Sequence, residues 1–315
     1  MKDIWLDTDP GFDDWMAWAL LEADPEVRLH GVSVVAGNAP LPTVLANAQR
    51  MHALHRWATP LYAGCAQPLV QPQVTAQDVL GVAGMRSTGA ALPLPASPLQ
   101  PGHAVDALIH CVRSHPGRIT LLAIGPLTNV ATAFARAPDM PSLLASLVVM
   151  GGSLGAGNTT PVAEFNIYAD PKAAAQVFEA MAALPAPRLR LFGIEVCRQV
   201  QIGDAQVAAL RVLTGQAARI FTDHLDAYVD IGRSRGRLGT ALYDPTPVAW
   251  LAHPEWFTLQ PARVDVELQG RHTRGMTVCE LRVPQRAAPN AEVGITADGP
   301  GVLHWATQLL LQGLQ

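Results

Sequence analysis

The stretch Ile4-Trp5-Leu6-Asp7-Thr8-Asp9-Pro10-Gly11-Phe12-Asp13-Asp14-Trp15-Met16-Ala17-Trp18-Ala19-Leu20-Leu21 opens as an apolar strand, turns at Pro-Gly and continues as a helix. Asp13 or Asp14 stands at the helix start, where an acidic N-cap is favoured. Four carboxylates, Asp7, Asp9, Asp13 and Asp14, crowd around the turn. Ionised groups packed this closely in a half-buried cleft repel one another and are costly unless a cation offsets them. An oxygen-only donor set fits Ca²⁺ or Mg²⁺ better than zinc. A plainer reading, in which Asp14 caps the helix and Asp7 and Asp9 decorate a turn, accounts for one or two of the four.

Working outward, apolar β-branched runs alternate with helical patterns, the rhythm of a parallel sheet covered on both faces. Strands are expected at Ile4–Asp7, Leu29–Ala36, Ile119–Ile124, Leu147–Met150 and Leu189–Phe192. Helices are expected at Asp14–Glu22, Pro42–His55, His103–His115, Asn129–Ala135, Pro171–Met181 and Ala205–Thr214. Beyond Leu238 the pattern turns mixed, with a Pro-bounded helix at Pro245–Ala252 and a hairpin-like pair at Val264–Leu268 and Thr277–Val283. The stretch 67–101, rich in Pro, Gln, Ala and Ser, reads as a long excursion near a site rather than a linker. No repeat or domain boundary is evident, so a single α/β domain over 1–315 is expected. In an open sheet of this kind ligands bind at the carboxyl ends of the strands, where the carboxylates gather.

With 315 residues, 49% of them hydrophobic, the chain can bury a large core. A net charge of −4 with 22 Lys and Arg leaves no basic stripe, so a small molecule is the expected ligand and not a nucleic acid. Cys65, Cys111, Cys197 and Cys279 are widely spaced and read as structural free thiols. The first residues enter a strand directly, without the pattern of a signal peptide, and no apolar run is long enough to span a membrane. A cytoplasmic enzyme is the expectation.

Other polar clusters follow strands at the same sheet edge: Gly37-Asn38, Ile124-Gly125-Pro126-Leu127-Thr128-Asn129 and Met150-Gly151-Gly152. Glycines there let backbone approach closely, and the Ile124 carbonyl is a candidate neutral ligand for Ca²⁺. Taken singly each is an ordinary turn. Asn158, Glu164 and Asn166 lie in a polar loop; in extended chain Glu164 and Asn166 face the same way, equipped to hold sugar hydroxyls. Asp244, in Tyr243-Asp244-Pro245, is either an N-cap or a further metal carboxylate from the far end of the chain.

Taken together, DTDPGFDD at 7–14, AGN at 36–38, AGCAQPL at 63–69, GPLTN at 125–129, MGG at 150–152, AEFNIYADP at 163–171, YDP at 243–245 and GMTV at 275–278 resemble the inosine-uridine preferring nucleoside hydrolases over nearly the whole length. The resemblance implies a Rossmann-like, mostly parallel α/β fold and a Ca²⁺-dependent N-ribohydrolase. It implies Asp9, Asp14, Asp244 and the Ile124 carbonyl as Ca²⁺ ligands, with Asp9 also the general base. It implies Asp13, Asn158, Glu164 and Asn166 around the ribose, Asn38 beside the attacking water, Met150 in the sugar pocket, and Phe165 among the substrate-binding residues. A homodimer or homotetramer is implied as well.

The residue types suit cleavage through an oxocarbenium-like state, which needs an activated water, negative charge near the sugar and help for the departing base. On the base side the chain departs from the family's commonest pattern. Tyr243 stands where many members carry a His before the last metal Asp, and Leu80, before Gly81, stands where many carry another. Tyr243 either donates a proton, stacks on a base such as a purine, or fills the space structurally. Tyr228, Arg233 and Arg235 are further candidates near the base, the arginines pointing to a modified or charged substrate. Trp15 and Trp18 read as core.

Three other readings bear on the same residues. A phosphotransferase using the first Asp of D-x-D expects a downstream catalytic Lys, and only Lys2 and Lys172 are present. An EF-hand beginning at Asp7 needs Gly and Glu where Phe12 and Trp18 stand. A family member that binds a nucleoside or other ribosyl compound with weak or no turnover is kept open by Leu80 and Tyr243.

Overall fold

The computed structural model describes residues 1–94, 96–284 and 287–314. Its strands are β1 (Lys2–Thr8), β2 (Val27–Val34), β3 (Leu61–Ala63), β4 (Thr120–Ala123), β5 (Ser146–Met150), β6 (Leu189–Phe192), β7 (Gln201–Ile202), β8 (Thr240–Ala241), β9 (Phe257–Val266), β10 (Thr277–Glu280) and β11 (Ala291–Ala297). Nine of them form one sheet in the order β10-β9-β11-β6-β5-β4-β1-β2-β3, with β7 and β8 paired separately. Every pair from β3 to β11 is parallel, and β9 is antiparallel to both β11 and β10. The five expected parallel strands and the C-terminal hairpin are all present. β3 and β11 were not expected.

The helices are α1 (Phe12–Ala23), α2 (Leu41–His55), α3 (Gln77–Leu80), α4 (Ala104–Ser114), α5 (Thr128–Arg136), α6 (Met140–Leu143), α7 (Phe165–Ala169), α8 (Pro171–Ala182), α9 (Ile194–Cys197), α10 (Asp204–Leu210), α11 (Gln216–Arg233), α12 (Pro245–Ala252) and α13 (Gly299–Gly313). The two-residue alternation of β1 sorts its side chains between two cores. Ile4 and Leu6 join Val32, Val34 and Leu122 under α1, α2 and α11–α13, whereas Trp5 joins Leu121, Ala123 and Val149 under α4, α5 and α8. Trp15 and Trp18 are fully buried core, as expected, with indole N–H groups donated to His55 and Glu22. The four cysteines are free; Cys111 and Cys197 are buried, whereas Cys65 and Cys279 are only half-buried.

Two local expectations are corrected. Gly11, and neither Asp13 nor Asp14, is the N-cap of α1; Asp14 is the third helical residue and its carboxylate reaches back to the Gly11 N–H at 2.9 Å. The helix expected at Ala205–Thr214 ends at Leu210, because Gly215 starts α11 a few residues later. α11 and α13 were not expected either.

The position of β1 decides where a ligand can enter. From β1 the chain builds β2 and β3 on one side, then crosses back to lay β4 on the other. The loops leaving the carboxyl ends of β1 and β4 therefore diverge and open a crevice at the point where strand order reverses.

Candidate active site

A cavity of about 420 Å³ occupies that crevice, a size suited to a small organic ligand. Its floor is the loop after β1. Asp9 is 1% exposed and is walled by glycines: a Cβ on Gly37 would lie 2.0 Å from Asp9 Oδ2, and one on Gly125 would lie 2.7 Å from Oδ1. The close approach expected of the motif glycines is thus made to Asp9. Asn38 clasps the loop: its backbone N–H donates to Asp9 Oδ2 at 2.7 Å, and its side-chain amide donates to the Asp9 carbonyl and to Asp14 Oδ2 at 2.9 and 3.1 Å.

Asp14 lies behind Asp9 and does not line the cavity; it accepts from the Thr8 hydroxyl and the Asp9 N–H. Asp244 arrives at the start of α12. As the N-cap of that helix it forms no capping hydrogen bond. The reason is in the sequence, since Pro245 and Pro247 have no N–H and the Thr246 N–H goes to the Tyr243 carbonyl. The carboxylate, 4% exposed, is left to face Asp13 and Asp14. One oxygen from each of Asp13, Asp14 and Asp244 lies within 4.8 Å of the others. In this arrangement Asp13, expected at the ribose, is drawn into the carboxylate cluster.

Asp7 does not belong to it, which corrects the reading of four carboxylates as one site. Asp7 shares the Trp5 face of β1, where it accepts from Ser33 and from the Asn129 amide at 2.7 Å, whereas β1 ends at Thr8 and the turn that follows carries Asp9 to the cavity. Its Oδ2 is buried without a hydrogen-bond partner, and burial pushes its carboxyl up to about 7.

The cluster itself is electrostatically incomplete. Burial, followed by the charge of Asp14, raises Asp9 and also Asp13, the latter to about 7; burial, followed by the charge of Asp13, raises Asp244. Neither lysine nor arginine is among the causes acting on Asp9, Asp13 or Asp244. An oxygen-only set of mutually repelling, buried carboxylates fits a hard divalent cation, with the Ile124 carbonyl at the cavity wall as a neutral oxygen.

This fit has a pH signature. A buried carboxyl with a raised pKa keeps its proton in the native state where the unfolded chain has released it. It therefore removes stability as pH rises from the ordinary carboxylate range through about 7. A cation offsets that cost by favouring the ionised form. The increase in Tm on adding Ca²⁺ should accordingly be larger at pH 8 than at pH 6, as measured by scanning calorimetry at both values; equal increments would contradict the fit.

The remaining predicted residues line the cavity above this floor: Met150, Asn158, Glu164, Phe165, Asn166, Tyr228 and Tyr243. Glu164 and Asn166 do not meet through extended chain as expected. Glu164 is the N-cap of α7, its carboxylate accepting from the N–H groups of Gly152, Asn166 and Ile167 at 2.9, 2.8 and 3.2 Å. Burial outweighs these bonds and pushes Glu164 up to about 7. The Asn166 amide donates to the carbonyls of Ile124 and Met150 at 2.9 and 3.1 Å, joining the ends of β4 and β5. Asn158 is exposed at the rim and accepts from the Phe165 N–H at 2.9 Å.

On the far wall the Tyr228 hydroxyl donates to the Ala241 carbonyl at 2.7 Å and lies 3.3 Å from Asp13 Oδ2. The Arg198 guanidinium lies near Tyr243, a proximity between distant segments that no local motif announces, while burial outweighs it and raises the phenol above its ordinary value. Arg235 is at the cavity rim, joined by Arg237, which sequence reasoning missed. Arg233 is not: it pairs with Asp204 and Asp226 outside. The stretch 74–80, including Asp78 and Leu80, supplies the opposite rim, as its reading as an excursion near the site implied.

Residues 4–304 match the family profile of inosine-uridine preferring nucleoside hydrolase. The chain is 35% identical over 315 residues to the pyrimidine-specific ribonucleoside hydrolase RihA of Salmonella agona, covering 99% of this chain and 98% of that one. It is 36% identical over 312 residues to RihA of Enterobacter sp. strain 638, covering 98% and 97%. Among solved structures it superposes on the purine-preferring ribonucleoside hydrolase from Gardnerella vaginalis with a TM-score of 0.89 at 25% identity, covering 99% of both chains. A plant nucleoside hydrolase, PpNRh1, gives 0.88 at 26% identity over 98% of both. The strand–turn–helix carboxylate loop, the crevice at the reversal of strand order and these full-length likenesses agree, and the chain belongs to the inosine-uridine preferring nucleoside hydrolase family.

Proposed function

We propose that this chain is a Ca²⁺-dependent ribonucleoside hydrolase that cleaves the N-glycosidic bond to free base and ribose. The observation that carries the reading is the buried, cation-seeking carboxylate floor opening into a cavity of nucleoside size. Asp9, Asp14, Asp244 and the Ile124 carbonyl are the proposed ligands, with Asp13 adjoining them. A divalent cation held there supplies positive charge that acidifies and orients water.

Everything else is done by side chains. Asp9, immobilised between Gly37 and Gly125 and by the Asn38 N–H, takes the proton of the attacking water. Asp13, Asn158 and Asn166 hold ribose hydroxyls. Glu164 faces the same space, although three backbone N–H groups already occupy its oxygens. Met150 and Phe165 exclude water from the sugar, and the negative floor favours the cationic character that the ring acquires.

Tyr243 is proposed to protonate the leaving base. It lines the cavity. Arg198 can only donate to its oxygen, so the phenol keeps its own proton for a partner on the cavity side.

Pyrimidine ribonucleosides are the proposed substrates, since the pyrimidine-specific relatives share 35–36% identity against 25% for the purine-preferring one. The test is ribose release from uridine, cytidine, inosine, adenosine, guanosine and modified ribonucleosides, with Ca²⁺. Release from uridine and cytidine at least about ten-fold faster than from purines is expected, as ~1.4 kcal/mol of base recognition gives. Release from none would favour the reading of a binder with weak or no turnover. A cytoplasmic homodimer or homotetramer completes the proposal; among the described residues no helix is long and apolar enough to cross a membrane.

A further inference from the structure

A second cluster of ligating side chains lies away from the cavity, toward the amino-terminal edge of the sheet. One ligating atom from each of His30, Cys111 and His115 lies within 4.8 Å of the others. Two features of the backbone bring them together. Cys111 and His115 are four apart at the end of α4 and so share a helix face. His30 is the extra residue of a bulge in β2, since Ile4 pairs with Leu29 and Trp5 with Gly31, and bulges re-aim the side chain they insert. The two imidazoles stand 4.7 Å apart, edge to face, beside a thiol that is 8% exposed.

The hydrogen bonds around the cluster leave one lone pair on each ring. His115 Nδ1 is 3.0 Å from the Cys111 carbonyl, which can only accept, so that nitrogen carries the proton and Nε2 is left bare. His30 Nε2 is 2.7 Å from Asp3 Oδ1. His30 and Arg118 hold the Asp3 carboxyl below its ordinary value, so it too accepts, and in the tautomer that donates from Nε2 the His30 ring has its lone pair on Nδ1. A carboxylate and a carbonyl behind two imidazoles is the support that orients metal-bound histidines.

We propose that His30, Cys111 and His115 form a second metal site, distinct from the carboxylate floor, that takes Zn²⁺. One sulfur and two imidazole nitrogens suit Zn²⁺ and not Ca²⁺, and three protein ligands leave a fourth position for water. Burial and Asp3 push the Cys111 thiol up to about 11, so binding at neutral pH releases its proton to solvent as the thiolate–metal bond forms. The ion would tie β2 to α4, far from the substrate, and act on stability rather than on turnover.

The test uses the intact protein saturated with Ca²⁺, titrated with Co²⁺ as a coloured substitute and then with Zn²⁺. The expected result is one equivalent of Co²⁺ giving a thiolate charge-transfer band in the near ultraviolet, displaced by Zn²⁺. Cys111→Ser should abolish the band. His115→Ala, a half-buried change at the end of α4, should weaken Zn²⁺ binding by more than the ~10–100-fold that loss of a supporting partner costs. Both variants should keep the ribose-release rate of the parent, and circular dichroism reports whether each is folded. No thiolate band in the parent, or the same band in Cys111→Ser, would overturn the proposal.

Discussion

Asp9→Ala should lower kcat by about 10²–10⁴-fold at saturating Ca²⁺, the range that a positioned general base contributes. The fold should survive the change. Asp9 is buried beside Asp14, and its charge is raised in cost by both burial and that neighbour, so its removal relieves repulsion while leaving the Asn38 N–H without an acceptor. Steady-state kinetics with a thermal melt on the same sample separates the two effects. Wild-type kcat in a well-folded Asp9→Ala protein would rule out the assignment of the base.

Chelation should be as damaging. A cation that stabilises developing charge is worth several kcal/mol, so EGTA should reduce ribose release by about 10²-fold or more, and added Ca²⁺ should restore it. Asp244→Asn provides the matching substitution. Because its carboxylate caps no helix, its loss should raise the Ca²⁺ concentration needed for half-maximal rate without unravelling α12. Full activity in EGTA, with no metal retained by elemental analysis, would remove the cation from the proposal.

Much of this was legible in the chain because the decisive signals are local. The run from Ile4 to Leu21 contains its own strand, turn and helix, and the β-branched runs of the parallel sheet are short, apolar and separated by helical periods. The unexpected helices had signals of the same kind. Phe221, Leu225 and Tyr228 recur at helical spacing in α11, and Val302, Ala306 and Leu310 do so in α13 behind a Pro at the first turn. No site motif adjoins α13.

What could not be read locally was direction. Asp7 and Asp9 look alike in sequence, and only the end of β1 at Thr8 separates the carboxylate bound by Asn129 of α5 from the one that lines the cavity. Asp244 reads equally as a cap or a carboxylate of the cluster by spacing; Pro245 and Pro247 withhold the donors that a cap requires, and the carboxylate faces Asp13 and Asp14. Glu164 and Asn166 were placed in extended chain, yet the five-residue helix between the cavity and Asp170 sets their geometry. Arg198 on Tyr243 joins residues that no spacing rule connects.

The central position of β1 also governs when activity can arise. Ile4 of β1 pairs with Thr120 of β4, so the crevice exists only after a loop of more than a hundred residues has closed, and Asp244 must then be delivered from beyond that. Closing long loops is entropically slow and is rewarded only when the distant contacts form. During synthesis the first half of the sheet can pair β1 with β2 and β3 on the emerging chain, but the carboxylate floor lacks its last member until α12 has been made. A nascent or truncated chain ending before Tyr243 would carry most of the sheet with an incomplete carboxylate floor, and on the proposed assignment ribose release would be a late reporter of folding.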